Sequence, residues 1–240
     1  MFPQKIKNFV LDCIFPTYCL SCGRFLKSEA KTHLCPNCQN KISINSGLFC
    51  PICFKRLAAE NFNKCPHSDK KSALDFLGIA VSYENPLIRE LIHKYKYGFA
   101  KEISWTLSEI LIRYLEKSFT GDFNKYCLMA VPLHRQRFNW RGFNQSEEIA
   151  KILSQRFSLA LNNNCLVRQK KTASQAELKD LQKRKDNLQN AFVLKNPKLI
   201  QNKNIILVDD VFTSGATMEA AAAALKSGGA KRIIGLVIAK

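Results

Sequence analysis

The segment Ile206–Thr217, with the sequence ILVDDVFTSGAT, brings together side chains suited to a phosphorylated sugar. Hydroxyl groups and backbone N–H groups of its Thr-Ser-Gly-Ala-Thr turn can surround a phosphate at the positive end of a following helix. Gly215 lets the backbone come close or adopt a positive φ. Asp209 and Asp210 are poorly suited to touch a phosphate, but they can accept hydrogen bonds from sugar hydroxyls. The candidate phosphate-binding residues are Val211, Phe212, Thr213, Ser214, Gly215, Ala216 and Thr217.

Eight of the ten cysteines lie within the first 65 residues. Cys19 and Cys22 form one Cys-x-x-Cys pair, and twelve residues later Cys35 and Cys38 form another. Each such turn can point two sulfur atoms at one ion, and in a reducing cytosol paired cysteines at this spacing more often hold metal than form disulfides. The spacing therefore predicts a tetrahedral zinc site with four thiolates.

A second cysteine set is incomplete. Cys50 and Cys53 form a third Cys-x-x-Cys pair, and Cys65 follows in the sequence Cys-Pro-His. Three thiolates leave one zinc ligand to be supplied by His67 or by a residue outside the pattern. The sequence predicts a second structural zinc site and leaves its fourth ligand open.

The elements that would position these residues are strands alternating with helices, which indicates an α/β domain with a parallel sheet. The predicted strands are Phe76–Tyr83, Cys127–Val131, Asn204–Val208 and Arg232–Ala239. The predicted helices are Pro86–Tyr97, Glu102–Glu116, Ser146–Phe157 with Ser146 as its N-cap, and an alanine-rich helix that ends at Gly228. Residues 1–71, by contrast, are predicted to form short ribbons held by metal rather than by a core, and residues 72–240 to form the α/β domain.

The charge of the chain limits its partners. There are 37 lysines and arginines against 19 acids, a formal net charge of +18. Such an excess favours polyanions such as nucleic acid, an anionic membrane or a phosphorylated small molecule, although basic charge also serves solubility. The sequence contains no apolar run long enough for a membrane span and no signal-peptide pattern, so we expect a cytoplasmic protein.

The segment Ile206–Thr217 resembles the 5-phosphoribosyl-diphosphate signature of type I phosphoribosyltransferases, and the absence of a GxxxxGK[ST] motif argues against a P-loop NTPase. The resemblance extends along the chain to the ComF family, through Leu91–Gly98, Val131–Arg135, Arg141–Gln145 and scattered positions from Arg168 to Phe192. That family joins a double zinc ribbon to a phosphoribosyltransferase domain and is associated with DNA uptake in competent bacteria.

The resemblance implies further site residues. Leu133, His134 and Arg135 occupy the position of the diphosphate-binding loop, where Arg135, Arg137 or Arg141 could pair with diphosphate oxygens. Asp209 and Asp210 would hold the ribose hydroxyls, and Mg²⁺ would accompany the diphosphate. A lone histidine such as His134 is more often structural than a proton donor.

Basic residues outside this pocket are candidates for binding single-stranded DNA. Lys94 and Lys96 alternate with tyrosines, a pattern that suits stacking on bases together with phosphate contacts, although a packed tyrosine pair is the plainer interpretation. The stretch Arg168–Lys185 has seven basic residues against two acids and corresponds to the hood that closes over substrate. The candidates are Lys94, Lys96, Arg141, Lys183, Arg184 and Lys185.

Two functions remain open at this stage. In the first, the protein binds 5-phosphoribosyl diphosphate and single-stranded DNA and acts with unidentified competence proteins in DNA uptake. In the second, it is an active phosphoribosyltransferase in nucleotide salvage, with Asp209 and Asp210 as catalytic residues and a nitrogen base as acceptor. No base-recognition motif is identifiable, so we favour the first function and leave turnover open.

Overall fold

Strands from both parts of the chain meet in one seven-stranded sheet in the computed structural model, which describes residues 14, 16–27, 30–57, 65, 72–98, 100–118, 125–169 and 191–240. In order across the sheet they are β4 (Arg56–Leu57), β3 (Leu48–Phe49), β5 (Phe76–Val81), β11 (Arg232–Ala239), β10 (Asn204–Val211), β6 (Tyr126–Ala130) and β7 (Ala160–Leu161). The strands from β5 to β7 run parallel, and β3 and β4 extend the edge in antiparallel fashion. Two small antiparallel pairs lie apart from this sheet: β1 (Thr17–Tyr18) with β2 (Phe25–Leu26), and β8 (Leu166–Arg168) with β9 (Phe192–Leu194).

Helices connect the parallel strands, so the predicted α/β class is confirmed. The helices are α1 (Pro36–Asn40), α2 (Pro86–Tyr97), α3 (Ile103–Ser118), α4 (Arg135–Arg141), α5 (Gln145–Phe157) and α6 (Ala216–Ser227), with a short 3₁₀ turn at Pro197–Leu199. The sequence did not predict α4, whose first residues were expected to belong to a diphosphate-binding loop. None of the described helices is long and apolar enough to cross a membrane.

Both faces of the sheet are covered, which explains the nearly continuous apolar strands. Along β10, Ile206 and Val208 join the core shared with α2, α3 and α5, whereas Ile205 and Leu207 join the core beneath α6. Side chains alternate between the two faces of a strand, so a strand buried on both sides has no polar alternate positions. This burial holds β10 in a fixed place, including the acids Asp209 and Asp210 near its end.

The start of α5 differs from the prediction. Asn144, not Ser146, is the N-cap: its side-chain oxygen accepts from the Ser146 backbone N–H at 3.2 Å. Its amide nitrogen donates to the Val131 carbonyl at 3.1 Å, which ties α5 to the end of β6. The prediction that Ser146 caps the helix is therefore wrong. As a result, the Ser146 hydroxyl lies in the first turn and is available to a different partner.

The sequence predicted that the cysteine-rich part is held by metal rather than by a core. In the structure this part also packs into the core of the larger domain. Leu26, Leu34 and Ile42 belong to the same core as α3 and the sheet. In addition, Phe49 of β3 is paired with Leu77 of β5. These contacts arise because the short ribbons have one apolar side each, and burying it against the larger domain removes that surface from water. The boundary between residues 71 and 72 stays a prediction, and both kinds of contact cross it.

Candidate functional site

A cavity of 280 Å³ lies where the carboxyl ends of β6 and β10 meet α2, α4 and α5. The carboxyl ends of parallel strands are the usual place for ligands in open α/β sheets. The charged residues that line the cavity are Lys96, Arg137, Arg141, Arg168, Asp209 and Asp210. The wall thus carries cations and acids together, which suits a ligand that has both anionic groups and hydroxyls.

The turn between β10 and α6 forms one side of the cavity. Gly215 has φ +76°, and a Cβ at this position would lie 2.3 Å from the Phe212 ring, so this conformation and packing require glycine. The Ser214 hydroxyl accepts from the Ala216 backbone N–H at 3.4 Å. Of the predicted phosphate-binding residues, those that line the cavity are Val211, Phe212, Thr213, Gly215 and Thr217. Their phosphate-binding role stays a prediction.

The two acids at the end of β10 have different surroundings. Asp209 accepts from the Ser146 hydroxyl at 2.8 Å and from the Asp210 backbone N–H at 2.9 Å. Burial and the neighbouring Asp210 charge raise the pKa of Asp209 to about 6. Asp210 is buried and forms an ion pair with Lys96, at 2.9 Å between Oδ1 and Nζ. Asp209 is half-buried and Asp210 is buried, because α2 and α5 lie over this end of the strand.

Lys96 lies in the cavity rather than on an outer surface. Burial alone would lower the pKa of Lys96, but the attraction of Asp210 outweighs it and raises the pKa. Lys94, in contrast, lies on the outer face of α2 and pairs with Glu90 at 2.8 Å. A helical signal was present in the sequence: Lys96 follows the buried Ile92 by four residues, so the two share a face. DNA binding by either lysine stays a prediction.

Three arginines converge on the cavity from separate elements: Arg137 and Arg141 from α4, and Arg168 from β8. Burial and the nearby charge of Arg137 lower the pKa of Arg168 to about 10. Burial likewise lowers the pKa of Arg141, although Asp210 acts in the opposite direction. Positive charges held this close together in a partly desolvated site favour a polyanionic ligand that would neutralise them.

The three residues predicted to bind diphosphate, Leu133, His134 and Arg135, have different positions in the structure. Leu133 lines the cavity. His134 is the N-cap of α4, and its Nδ1 accepts from the Gln136 backbone N–H at 3.3 Å, which is the structural role expected of a lone histidine. Arg135 is exposed and is not among the cavity-lining residues. The arginines that reach the cavity, Arg137 and Arg141, lie two and six residues further along α4, a helix that the sequence did not predict.

The first cysteine set has the geometry of a metal centre. The sulfur atoms of Cys19, Cys22, Cys35 and Cys38 all lie within 4.8 Å of one another. Two thiolates bound to one zinc ion at about 2.3 Å lie about 3.8 Å apart in a tetrahedron, and the sulfurs of Cys22 and Cys35 are 3.7 Å apart. Burial acts to raise the pKa of Cys19, but backbone hydrogen bonds lower it to about 6, which favours the thiolate that a metal binds.

The second set is similar in its described ligands. The sulfurs of Cys50, Cys53 and Cys65 lie within 4.8 Å of one another, and those of Cys53 and Cys65 are 3.5 Å apart. His67, the predicted fourth ligand, lies outside the described residues, as do Lys183, Arg184 and Lys185. Cys50 and Cys53 lie in the turn between β3 and β4, the hairpin that extends the main sheet.

The second cysteine set also touches the candidate phosphate loop. Phe54, which follows Cys53, packs edge-on against Phe212 with ring centroids 5.9 Å apart. The Lys240 ammonium lies 3.7 Å from the centre of the Phe54 ring. Phe212 in turn occupies the space beside Gly215. The turn of the second cysteine set and the candidate phosphate loop, which are far apart in sequence, therefore share one aromatic contact.

Family models match both the α/β domain and the cysteine-rich part of the chain. The phosphoribosyl transferase domain matches residues 144–240, and the double zinc ribbon domain matches residues 10–68. Together with the cysteine clusters, the second match suggests zinc binding. The class of the protein is thus a double zinc ribbon attached to a phosphoribosyltransferase-type domain.

Named relatives cover most of the chain. The DNA utilization protein YhgH of Escherichia coli (strain K12) is 31% identical over 217 residues, 90% of this chain and 86% of the relative. Competence protein F of Haemophilus influenzae is 30% identical over 210 residues, 85% and 89% of the two chains. Competence protein ComFC of Bacillus subtilis is 26% identical over 213 residues, 83% and 80%. The chain belongs to the family of these competence protein F and YhgH proteins, as the ComF resemblance predicted.

Proposed function

We propose that the cavity binds 5-phosphoribosyl diphosphate and that the protein uses this site, together with single-stranded DNA binding, in DNA uptake. One observation carries the proposal: a hydroxyl-rich turn, two acids and three arginines surround the same 280 Å³ cavity. Each group matches one part of that ligand. The competence and DNA utilization names of the relatives support the biological part.

In this assignment the 5-phosphate lies in the turn that begins with Thr213, at the positive end of α6. Asp209 and Asp210 accept hydrogen bonds from the ribose hydroxyls. The diphosphate lies toward Arg137 and Arg141, whose guanidinium groups can pair with its oxygens. The Lys96–Asp210 ion pair adjoins both regions, so Lys96 can exchange part of its contact with Asp210 for a ligand oxygen.

Metals have separate roles in this proposal. The carboxylates of Asp209 and Asp210 supply the hard oxygen ligands that suit Mg²⁺, which would neutralise diphosphate charge when bound. Two zinc ions would stabilise the ribbons, one with the four thiolates of the first set. The other would be held by Cys50, Cys53 and Cys65, with His67 as the fourth ligand.

An active transferase is a second candidate, and Asp209 favours it. A carboxyl group with a pKa of about 6 that lines a ligand cavity can exchange protons near neutral pH. Release of diphosphate from the labelled sugar in the presence of candidate bases distinguishes this function from binding alone.

Calorimetry with 5-phosphoribosyl diphosphate and Mg²⁺ tests the binding site. Asp209→Asn combined with Asp210→Asn keeps the side-chain shapes and removes both charges, and we expect binding to be abolished. Glu102→Gln combined with Glu116→Gln changes the same charge on the exposed surface and should retain wild-type affinity. Thermal melting checks that both double variants are folded. Wild-type affinity in the Asp209 and Asp210 variant would refute the assignment.

A further inference from the structure

Two large aromatic side chains are exposed side by side beside the cavity. Tyr97 ends α2 and is 49% exposed, and Trp140 of α4 is 56% exposed. Exposed aromatic rings that lie together, rather than singly, commonly mark a binding surface. We refer to Tyr97, Trp140 and the adjoining Arg141 as the aromatic platform.

The two rings of the platform contact each other, and each has further contacts with neighbouring side chains. The centroids of Tyr97 and Trp140 are 6.2 Å apart, and His93 packs against the other side of Tyr97 at 4.9 Å. The Arg141 guanidinium lies 5.8 Å from the Tyr97 ring and 5.9 Å from the Trp140 ring. The cation therefore bridges both rings, which fixes their relative position before any ligand arrives.

The platform is continuous with the cavity. His93, Tyr97 and Arg141 all line the cavity, and Trp140 extends the surface outward from them. The Nε of Arg141 is buried and has no hydrogen-bond partner within the described part of the chain. A ligand group at the cavity entrance would thus meet aromatic rings that lie beside the Arg141 guanidinium.

The charge of α4 identifies the kind of ligand. Its sequence RQRFNWR has an arginine at positions 135, 137 and 141 and no acid. The core of a protein-binding surface is usually depleted of charge, whereas cations interleaved with exposed rings are typical of surfaces that bind single-stranded nucleic acid. Bases stack on the rings, and phosphates pair with the cations.

We propose that the aromatic platform stacks a base of single-stranded DNA at the entrance of the cavity, while Arg135 pairs with the adjoining phosphate. The inference rests on the proposed function, because it places the DNA strand next to the phosphoribosyl site. Of the nucleic-acid candidates predicted from the sequence it includes Arg141 but not Lys94 and Lys96, since Lys94 is engaged with Glu90 and Lys96 with Asp210. The platform would then place the bound DNA strand and the sugar-diphosphate site on one continuous surface, because Tyr97 and Arg141 also line the cavity.

Tryptophan fluorescence provides a direct test, because the chain has two tryptophans. In a Trp105→Phe background, Trp140 is the single reporter. We expect a short oligothymidine strand to quench Trp140 emission, since stacking places a base on the indole. Duplex DNA of the same length should quench it far less. No quenching by a strand that binds the protein would overturn the proposal, and equal quenching by a free nucleobase would assign the platform to an acceptor base instead.

Affinity measurements with matched variants complete the test. Trp140→Ala and Tyr97→Ala should each weaken oligothymidine binding about tenfold, and Trp140→Phe should retain most of it because its ring can still stack. Tyr18→Ala removes an exposed ring of similar exposure from the first cysteine ribbon and should have no effect. Loss of affinity in Tyr18→Ala with full affinity in Trp140→Ala would place the strand on the ribbon and overturn the platform.

Calorimetry with 5-phosphoribosyl diphosphate separates this inference from the proposed function. Trp140→Ala should bind the sugar diphosphate as tightly as the wild type, because Trp140 is not a cavity-lining residue. If the wild type binds the sugar diphosphate and DNA but Trp140→Ala loses neither, the platform alone is refuted. If the wild type fails to bind the sugar diphosphate, the proposed function is refuted whatever the DNA result.

Discussion

We refer to the two cysteine sets as the first knuckle (Cys19–Cys38) and the second knuckle (Cys50–Cys65). Both bring cysteine sulfur atoms within 4.8 Å of one another, but they have different neighbours. The first lies against α3, where Thr106 accepts from the His33 backbone N–H and Arg113 donates to the Gln39 carbonyl, both at 2.8 Å. The second is the tip of a hairpin that extends the sheet, and its Phe54 contacts the phosphate loop. The same cysteine motif thus packs against α3 in one place and adjoins the candidate phosphate loop in another.

An edge-to-face aromatic pair lies at each knuckle, so the same substitution can be made at both. Tyr18 and Phe25 have ring centroids 6.3 Å apart with an interplanar angle of 76°. Phe54 and Phe212 have centroids 5.9 Å apart and an angle of 73°. The pairs are nearly identical in geometry, but only the second includes a residue of the candidate phosphate loop.

Loss of a metal ligand should have the largest effect. Cys35→Ser removes a buried ligand of the first set, and a structural zinc ion contributes about 10–16 kcal/mol to the folding of zinc-finger peptides. We expect one fewer zinc ion per chain by elemental analysis and a much lower thermal midpoint. The fraction that remains folded should bind the sugar diphosphate normally.

Cys53→Ser is the matched variant at the second set. It should also lose one zinc ion, but it should weaken sugar-diphosphate binding in addition, because Phe54 follows it directly. Equal ligand affinity in the two folded variants would show that the second knuckle does not support the loop.

The pocket should contribute its own pH dependence of stability, through Asp209. Asp209 has a pKa of about 6 in the folded chain against 3.8 for the unperturbed side chain. The folded state therefore binds more protons than the unfolded state between these values. As pH rises through this range the free energy of unfolding falls, by on the order of 2 kcal/mol.

Asp209→Asn tests this sign, because asparagine stays neutral. Relative to the wild type, the variant should gain stability between about pH 4 and about pH 8 in urea unfolding. Taking the difference from the wild type removes the common effect of pH on the zinc sites. Glu102→Gln is the control and should parallel the wild type. A constant difference between Asp209→Asn and the wild type across this range would contradict the raised pKa.

The smallest expected effect comes from the aromatic pairs. Phe54→Ala removes a contact of about 0.5–1.5 kcal/mol from the phosphate loop, so sugar-diphosphate affinity should fall about two- to tenfold. Both zinc ions should remain, since no ligand has changed. Phe25→Ala removes the corresponding pair from the first knuckle and should leave the affinity unchanged. An equal loss of sugar-diphosphate affinity in the two variants would show that the second knuckle supports the phosphate loop no more than the first does.

Features that depend on contiguous residues were predictable from the sequence. The Cys-x-x-Cys turns, the parallel strands and the turn from Asp209 to Thr217 each follow from a short run of residues, because local backbone geometry brings their groups together. The apolar strands were equally clear, since burial on both faces requires an unbroken apolar run. The family resemblance rested on the same contiguous motifs.

The partners of these groups were decided by the tertiary structure. Ser146 contacts Asp209 across 63 residues, and Lys96 reaches Asp210 from α2. Phe54 meets Phe212 only because the β3–β4 hairpin joins the sheet next to β5. Helix α4, which the sequence did not predict, places Arg141 beside two aromatic rings. A side chain's type determines what it can bind, but long-range packing determines which group lies within its reach, and packing depends on the whole chain at once.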